Sequence, residues 1–183
     1  MRSLIFVTGN IGKFKEVKEF FSKAGIRIIH KKLSIEEKRG TPEEIAEDAA
    51  RQAYKKLRTP LFVEDSGLFI EALNGFPGEF SAWVFKKIGN EGILKLMKGE
   101  KNRCAYFKSV VAYADRGGIR LFDGVCFGKI SHRMRGSGGF GYDPIFIPSG
   151  KRFTFAERED LKTLLSHRYN SLKKLLKFLK EKK

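Results

Sequence analysis

The chain has 183 residues, of which 42% are hydrophobic and 13% aromatic, and this composition excludes intrinsically disordered and low-complexity classes. Its 37 Lys and Arg residues against 21 Asp and Glu give a net charge of +16, which predicts anionic partners or a strongly solvated basic surface. The apolar runs at residues 4–7 and 110–114 are too short to cross a membrane, and residues 1–7 do not form a signal peptide. We therefore expect a cytoplasmic protein with a single domain over residues 1–183.

The first part of the chain predicts alternating strands and helices. Residues 3–8 predict a strand, Gly9 and Gly12 a turn, and the helical spacing of apolar residues over 13–24 a helix. A second strand is predicted at 26–29 and a polar, acidic loop at 34–40. Thr41-Pro42-Glu43-Glu44 then predicts a helix to about residue 58 that begins with a capping box. A third strand at 61–64 is expected to end in a turn at Asp65-Ser66-Gly67.

The second part predicts two helices at 80–88 and 92–98, followed by a long hairpin of strands at 103–115 and 119–131. A glycine-rich loop at 136–142 leads to a short edge strand at 143–148. Two helices split near Ser166 follow, and the leucines at 172, 175, 176 and 179 predict that the second helix packs on the core. This order predicts an α/β fold with a mixed β-sheet.

The two cysteines, Cys104 and Cys126, lie in apolar, strand-like stretches and have no second cysteine nearby. This environment predicts buried, reduced thiols rather than a disulfide or a zinc site.

Two glycine-rich segments are candidates for ligand binding. Thr8-Gly9-Asn10-Ile11-Gly12-Lys13 joins a strand to a helix, where backbone N–H groups and the helix dipole favour an anion; a plain strand-to-helix turn is the alternative. The spacing differs from that of a Walker A loop. The segment at 136–141 fits G-x-G-x-x-G, but no helix can follow it, which excludes a dinucleotide-binding loop. It is either a base-stacking loop that presents Phe140 and Tyr142 or a tight turn of the sheet.

Several carboxylates are placed where they could serve a site: Glu36, Glu37, Glu64, Asp65 and Asp143. Acids near a phosphate-binding loop suit Mg²⁺, which takes one or two carboxylates and leaves its other positions to water and phosphate oxygens. Simpler interpretations remain open. Asp65 could cap a turn, the two glutamates could be solvated, and Asp143 could form a turn before proline.

Five motifs occur in order along the chain: TGNIGK at 8–13, EDSGL at 64–68, GFPGEFSAW at 75–83, FGYDPIF at 140–146 and SHR at 166–168. Together they resemble the inosine triphosphate pyrophosphatase family, whose members are also described as XTP/dITP diphosphatases. The resemblance implies hydrolysis of ITP, dITP and XTP to the monophosphate and pyrophosphate, which removes deaminated purines from the nucleotide pool. It also implies Mg²⁺, a homodimer, and an elongated mixed sheet flanked by helices, with two lobes around a central active-site cleft.

The resemblance also implies roles for individual residues. Thr8, Gly9, Asn10, Ile11, Gly12 and Lys13 would bind the triphosphate, and Ser66 would contact substrate. Asp65 would be the general base and a metal ligand, with Glu37 as the second metal acid and Glu36 as its alternative. Phe140 would stack on the base beside Gly141, Tyr142 and Asp143, while Lys162, His167 and Arg168 would recognise the purine edge.

Two positions depart from the family's pattern. Many members have two aspartates where this chain has Glu64-Asp65, and many have a lysine at the position of Gln52. Two rival functions also follow from the sequence. The charge of +16 favours a nucleic-acid-binding protein, which leaves the acidic pair unexplained, and a nucleotide hydrolase that releases orthophosphate or acts on modified pyrimidines is a closer rival. We expect a nucleotide substrate, no stable nucleic-acid partner and no membrane association.

Overall fold

Strands and helices alternate along residues 3–36 and 38–182, which are the residues that the computed structural model describes. The strands are β1 Ser3–Val7, β2 Arg27–Lys31, β3 Leu61–Ile70, β4 Pro77–Gly78, β5 Cys104–Asp115, β6 Gly118–Ile130 and β7 Phe146–Pro148. The helices are α1 Ile11–Ser22, α2 Pro42–Leu57, α3 Ser81–Leu96, α4 Glu159–Leu165 and α5 His167–Glu181. Short 3₁₀ turns occupy Glu71–Leu73 and Asp143–Ile145.

The strands form one mixed sheet in the order β2-β1-β3-β5-β6-β7, with β4 paired to β3. β1 runs parallel to both β2 and β3, whereas the β3–β4 and β6–β7 pairs are antiparallel. A mixed sheet flanked by helices confirms the predicted α/β class. Within the described residues, none of the helices combines the length and the apolar character that crossing a membrane requires.

The chain divides into two compact units, each assembled from separate stretches of sequence. Unit 1 takes in the described residues of Met1–Asp65, Ser109–Gly124 and Arg168–Lys183, and unit 2 takes in Ser66–Lys108 and Val125–His167. Strands β3, β5 and β6 therefore contribute residues to both units. The single domain over residues 1–183 stays a prediction.

Unit 1 contains two buried apolar clusters. In the first, phenylalanines of β1, α1 and β3 pack with the leucines of α5, which confirms the predicted packing of that helix (Phe6, Phe21, Phe62, Leu172, Leu175, Leu179). In the second, three fully buried alanines of α2 face small and β-branched residues of the sheet (Ala46, Ala50, Ala53, Val63, Val110, Ala112). Because alanine is small, α2 can approach the sheet closely.

The start of α2 follows the prediction closely. The Thr41 hydroxyl accepts a hydrogen bond from the Glu44 N–H at 3.3 Å, and the Glu44 carboxylate accepts one from the Thr41 N–H at 2.8 Å. This reciprocal pair is a capping box, with Pro42 at the first helical position.

Unit 2 has one apolar core, centred on the rings of Phe107, Phe146 and Phe155. The two helices predicted at 80–88 and 92–98 correspond to the two segments of α3, which meet at Gly89, where φ is 60° and ψ is −163°. Because these angles are not helical, the glycine separates two helical segments joined at a kink, in agreement with the prediction.

Three predictions of local structure were wrong. Asp65-Ser66-Gly67 forms no turn, because β3 continues to Ile70 and pairs with β4 at Leu68 and Phe69. Gly67 is needed there, since a Cβ at this position would lie 2.3 Å from the backbone oxygen of Gly78. The predicted edge strand at 143–148 begins as a 3₁₀ turn, so β7 covers only Phe146–Pro148. Cys104 is exposed rather than buried, whereas Cys126 is buried and both thiols are free.

Candidate functional site

The predicted phosphate-binding loop lies between β1 and α1 in unit 1. Asn10 is the N-cap of α1, and its side chain accepts a hydrogen bond from the Lys13 N–H at 3.0 Å. The Thr8 hydroxyl accepts another from the Asn10 N–H at 3.1 Å. These bonds hold the loop at the positive end of the helix dipole, where backbone N–H groups can bind an anion.

A histidine that sequence reasoning left out supports this loop. Nε2 of His30 lies 2.9 Å from the carbonyl oxygen of Thr8, and its ring stacks on Phe14 at a centroid distance of 4.4 Å. His30 therefore links the end of β2 to both the loop and the first turn of α1.

Lys13 is the lysine of the loop, and it is bound to Glu64 of β3. Its ammonium lies 2.9 Å from Oε2 of Glu64 and donates a hydrogen bond to the Glu64 carbonyl at 3.2 Å. An ammonium group has three N–H donors, so one remains for a ligand oxygen. The ammonium is thereby held at the start of α1 while keeping some capacity to bind an anion.

Glu64 is the centre of a buried network. Its Oε1 accepts hydrogen bonds from Ser109 at 2.7 Å and from Nε of Arg168 at 3.2 Å, and none of its carboxylate surface is exposed. Burial alone would raise the pKa of this carboxyl. Arg168, Lys13 and Ser109 outweigh burial and hold the pKa well below its usual range. Glu64 is therefore an anion in the folded protein.

Arg168 occupies the other side of this network. Its Nη1 lies 2.5 Å from Oε2 of Glu16, and only 3% of its side chain is exposed. Burial would lower the pKa of this guanidinium, but Glu64 and Glu16 raise it further above its usual value. Recognition of a purine edge by Arg168 stays a prediction, because the contacts of Nε and Nη1 described here are to carboxylates of unit 1.

The acidic loop before α2 is fixed by the residue that departs from the family's pattern. The Gln52 side chain accepts a hydrogen bond from the Glu36 N–H at 3.0 Å and donates one to the Glu36 carbonyl at 2.9 Å. It also donates to Asp48 at 2.8 Å. Gln52 therefore clamps the backbone of the loop, whereas Glu37, the predicted metal acid, lies outside the described residues.

Asp65 and Ser66 follow Glu64 in the middle of β3, and both side chains are half-buried. Asp65, the predicted general base, therefore lies within a paired strand of the sheet. Its backbone is more restricted there than it would be in a turn. No group of three or more His, Cys, Asp and Glu residues able to hold a metal occurs within 3–36 and 38–182.

In unit 2, the glycine-rich loop lies against a buried ion pair. Asp143 Oδ2 is 2.5 Å from the ammonium of Lys162 and accepts a hydrogen bond from the Phe140 N–H at 2.8 Å. The Lys162 ammonium also lies 4.4 Å from the centroid of the half-buried Phe140 ring. Gly139, with φ 70°, is required here because a Cβ would lie 2.2 Å from Asp143 Oδ2. The loop brings together an aromatic face and a cation.

The remaining predicted residues of unit 2 are mostly buried. Tyr142 donates a hydrogen bond from its hydroxyl to the Ser81 carbonyl at 3.0 Å, and burial raises its pKa above the usual value. The Gly141 carbonyl accepts a bond from Asn90 at 3.1 Å. His167 stacks on Phe107 at a centroid distance of 4.6 Å and is only 3% exposed. The hydrogen bonds of Tyr142 and Gly141 fix the shape of the loop after Phe140.

Sequence reasoning missed the partners that hold these residues. Glu16 is three residues after Lys13 in a helix, which is a spacing compatible with a shared face, but nothing in the sequence distinguishes it from other surface glutamates. Ser109 and Ser171, whose hydroxyls lie 3.0 Å apart beside Glu64, come from distant stretches and leave no local signal.

The fold and these two clusters define a mixed α/β protein, with a strand-to-helix loop and acidic residues in unit 1 and an aromatic–cationic cluster in unit 2. Residues 4–178 match the Ham1 family, and the chain belongs to that family. This membership agrees with the resemblance that the five motifs indicate.

Characterised relatives and solved structures match nearly the whole chain. A protein named dITP/XTP pyrophosphatase from Thermococcus kodakarensis is 49% identical over 97% of each chain, and one of the same name from Methanopyrus kandleri is 49% identical over 97% of this chain and 96% of its own. The structure of the Staphylococcus aureus Ham1 protein superposes with a TM-score of 0.86 at 29% identity, covering 100% of both chains. The fold is therefore the Ham1 fold, and nucleotide pyrophosphatases of this family generally use a divalent metal ion.

Proposed function

We propose that this protein hydrolyses the non-standard purine nucleoside triphosphates ITP, dITP and XTP to the monophosphate and pyrophosphate. The observation that carries the proposal is the similarity to dITP/XTP pyrophosphatases at 49% identity over 97% of the chain. Its consequence would be to remove deaminated purines before they enter DNA or RNA. The two free thiols suit a reducing compartment, and we place this activity in the cytoplasm.

The triphosphate is proposed to bind at residues 8–13. The support is the N-terminus of α1, where backbone N–H groups point outward, together with the Lys13 ammonium held by Glu64. This lysine would bind the phosphates that leave as pyrophosphate, and Ser66 would contact substrate beside them. Stabilisation of the leaving diphosphate by fixed positive charge lowers the barrier for attack at the α-phosphorus.

Asp65 is proposed as the general base. Release of pyrophosphate requires a water to attack the α-phosphorus, and a carboxylate can accept the proton of that water as the bond forms. If Asp65 has this role, Asp65→Asn should retain nucleotide binding and lower turnover at least ~10²-fold. Turnover close to that of the unmodified enzyme would remove Asp65 from the mechanism.

We propose Mg²⁺ as the divalent ion, held by Asp65 and by Glu37. The described residues offer hard carboxylate oxygens but no cluster of three metal ligands, which fits an ion that completes its shell with water and phosphate oxygens. When bound, such an ion would neutralise charge on the phosphates. Glu36 is the alternative ligand, because it is exposed and its backbone is held by Gln52.

The purine is proposed to stack on Phe140, with Gly141, Tyr142 and Asp143 shaping the loop. The Lys162 ammonium above this ring supports the assignment, since a base stacked there would find a hydrogen-bond donor nearby. Hypoxanthine and xanthine present an acceptor at position 6, where adenine presents an amino donor. Donors from Lys162, His167 or Arg168 would therefore reject ATP, and mismatched polar groups can discriminate by ~10⁴-fold.

Hydrolysis of ITP, dITP, XTP, GTP and ATP with Mg²⁺ tests the proposal, with pyrophosphate and orthophosphate measured separately. We expect pyrophosphate from the hypoxanthine and xanthine nucleotides and little product from ATP and GTP. Orthophosphate as the product would favour a different nucleotide hydrolase. No hydrolysis together with tight, salt-sensitive binding of nucleic acid would favour the nucleic-acid-binding alternative.

We also propose a homodimer that forms through α3 of unit 2. This helix and the residue before it expose large apolar side chains, with Trp83 at 62%, Phe80 at 45% and Ile88 at 42% exposure. Large apolar side chains exposed on one element are frequent at protein–protein contacts. Sedimentation equilibrium of the protein and of a Trp83→Glu variant tests this, with a dimer and a monomer expected. A wild-type monomer would contradict the proposal.

A further inference from the structure

Glu16 of α1 is a largely buried carboxylate with no role in the proposed reaction. It lies one helical turn after Lys13, and 22% of its side chain is exposed. Its Oε2 is 2.5 Å from Nη1 of Arg168. Both groups have lost most of their hydration, so each carries charge that the other must compensate.

Charges of opposite sign alternate from Glu16 to the loop lysine. The order is Glu16, Arg168, Glu64 and Lys13, with successive closest contacts of 2.5, 3.2 and 2.9 Å. Arg168 thus lies between two carboxylates, and Glu64 lies between two cations. Removal of the first carboxylate would leave Arg168 to draw more strongly on Glu64, the same group that holds Lys13.

The geometry at Glu64 shows how such a change would reach Lys13. Oε1 of Glu64 faces Arg168 and Ser109, whereas Oε2 faces the lysine ammonium. The two partners of Oε1 therefore set the plane of the carboxylate. A shift of Arg168 toward Glu64 rotates that plane and moves Oε2 relative to the ammonium.

The main-chain end of Arg168 is anchored separately. The hydroxyl of Ser171 donates a hydrogen bond to the Arg168 carbonyl at 2.9 Å and lies 3.0 Å from the hydroxyl of Ser109. With its backbone fixed in this way, the guanidinium is oriented in part by its ion pairs with Glu16 and Glu64.

We infer that Glu16 is a positioning residue for the phosphate-binding lysine: it holds Arg168, which orients Glu64, which in turn fixes the ammonium of Lys13. The inference rests on the proposed function, because that function assigns Lys13 to the triphosphate. It gives Glu16 a part in binding although this residue need not contact the nucleotide.

The first test compares two identical substitutions on one helix. Glu16→Gln removes the charge that faces Arg168, whereas Glu19→Gln removes an exposed charge that is paired with Lys23 at 2.8 Å in an i,i+4 bridge. For ITP hydrolysis we expect Glu16→Gln to raise KM about 10-fold and also to lower kcat, because Lys13 is proposed both to bind the triphosphate and to stabilise the leaving diphosphate. Glu19→Gln should behave like the unmodified enzyme.

The second test separates positioning from a general structural role. Binding of inorganic tripolyphosphate, measured by calorimetry, should weaken about 10-fold in Glu16→Gln, and the same substitution should have no further effect in a Lys13→Met background. Equal weakening in both backgrounds, or no weakening in either, would overturn the inference. So would a wild-type protein that does not bind tripolyphosphate.

The tripolyphosphate measurement depends on neither the base nor turnover. If the wild-type protein fails to hydrolyse ITP while the binding cycle behaves as expected, the proposed function falls and the positioning role of Glu16 stands. If ITP is hydrolysed and Glu16→Gln changes neither KM nor tripolyphosphate binding, the positioning role falls alone.

Discussion

Replacement of Glu64 by glutamine should lower the free energy of unfolding substantially. Glutamine has the same size but no charge, so the buried Arg168 and the mostly buried Lys13 both lose a carboxylate partner. Breaking one side of a buried ion pair costs about 3–5 kcal/mol. We expect about 3 kcal/mol for Glu64→Gln, at the lower end, because Arg168 keeps its contact with Glu16.

Urea unfolding at pH 7, followed by far-UV circular dichroism, measures this loss. Glu19→Gln is the matched control, since its partner Lys23 is 66% exposed and such surface pairs contribute at most about 1 kcal/mol. A decrease below about 1 kcal/mol for Glu64→Gln would refute the view that this carboxylate is the centre of the network.

The effect of Glu64→Gln on the free energy of unfolding should also depend on pH, and the sign of that dependence can be predicted. Burial alone would raise the pKa of the Glu64 carboxyl, but the surrounding cations depress it in the folded protein. A carboxyl group whose pKa is lower in the folded than in the unfolded protein stabilises the fold fully when the pH is above its pKa in the unfolded protein, here about 4.3. This stabilisation is lost as the pH falls through the pKa that the group has in the folded protein. The stability difference between wild type and Glu64→Gln should therefore be complete at pH 7 and shrink below about pH 4. A difference that grows on acidification would contradict this assignment.

Three further predictions concern helix capping, loop backbone and thiol reactivity. Thr41→Ala removes the capping box of α2 and should lower the free energy of unfolding, measured in urea, by about 1 kcal/mol. An unchanged midpoint of urea unfolding would show that the capping box does not stabilise the protein. Gly139→Ala should lower the free energy of unfolding by more than about 1 kcal/mol, and by more than Gly141→Ala does. Both glycines have positive φ, but only a Cβ at position 139 would meet another atom, the carboxylate oxygen of Asp143 at 2.2 Å. In the native protein at pH 8 a thiol reagent should label the exposed Cys104 and spare Cys126, because burial raises the pKa of the Cys126 thiol to about 12. Rapid labelling of both cysteines would contradict the buried position of Cys126.

Local signals in the sequence were sufficient for much of the fold. The Thr41-Pro42-Glu43-Glu44 sequence predicts the start of α2 because a capping box is made within one turn. The leucine stripe of α5 likewise predicts its buried face. Asp65-Ser66-Gly67 has equally strong turn residues, yet pairing with β4 keeps it extended, and that pairing partner is not visible in the local sequence.

The candidate site shows the same division between local and distant information. The motifs suggested Lys13 and Asp143 as functional residues and the family resemblance implied Lys162, but neither indicated that Asp143 and Lys162 form a buried ion pair. Nor could they indicate that Gln52 holds the loop of Glu36 by two backbone hydrogen bonds. These contacts join residues far apart in sequence, so they follow from the tertiary fold and not from spacing.

The interleaving of the two units in the sequence limits the order in which the protein can fold as it is synthesised. The apolar core of unit 1 joins Phe6 and Phe21 to Leu172, Leu175 and Leu179, so it cannot be completed before α5 has left the ribosome. Among the described residues, the core of unit 2 is built from positions between Leu68 and Leu165, so it can close earlier. Until α5 has left the ribosome, Phe6 and its neighbours lack the cover that the leucines of α5 provide, and apolar surface exposed in this way makes partly folded chains prone to aggregate.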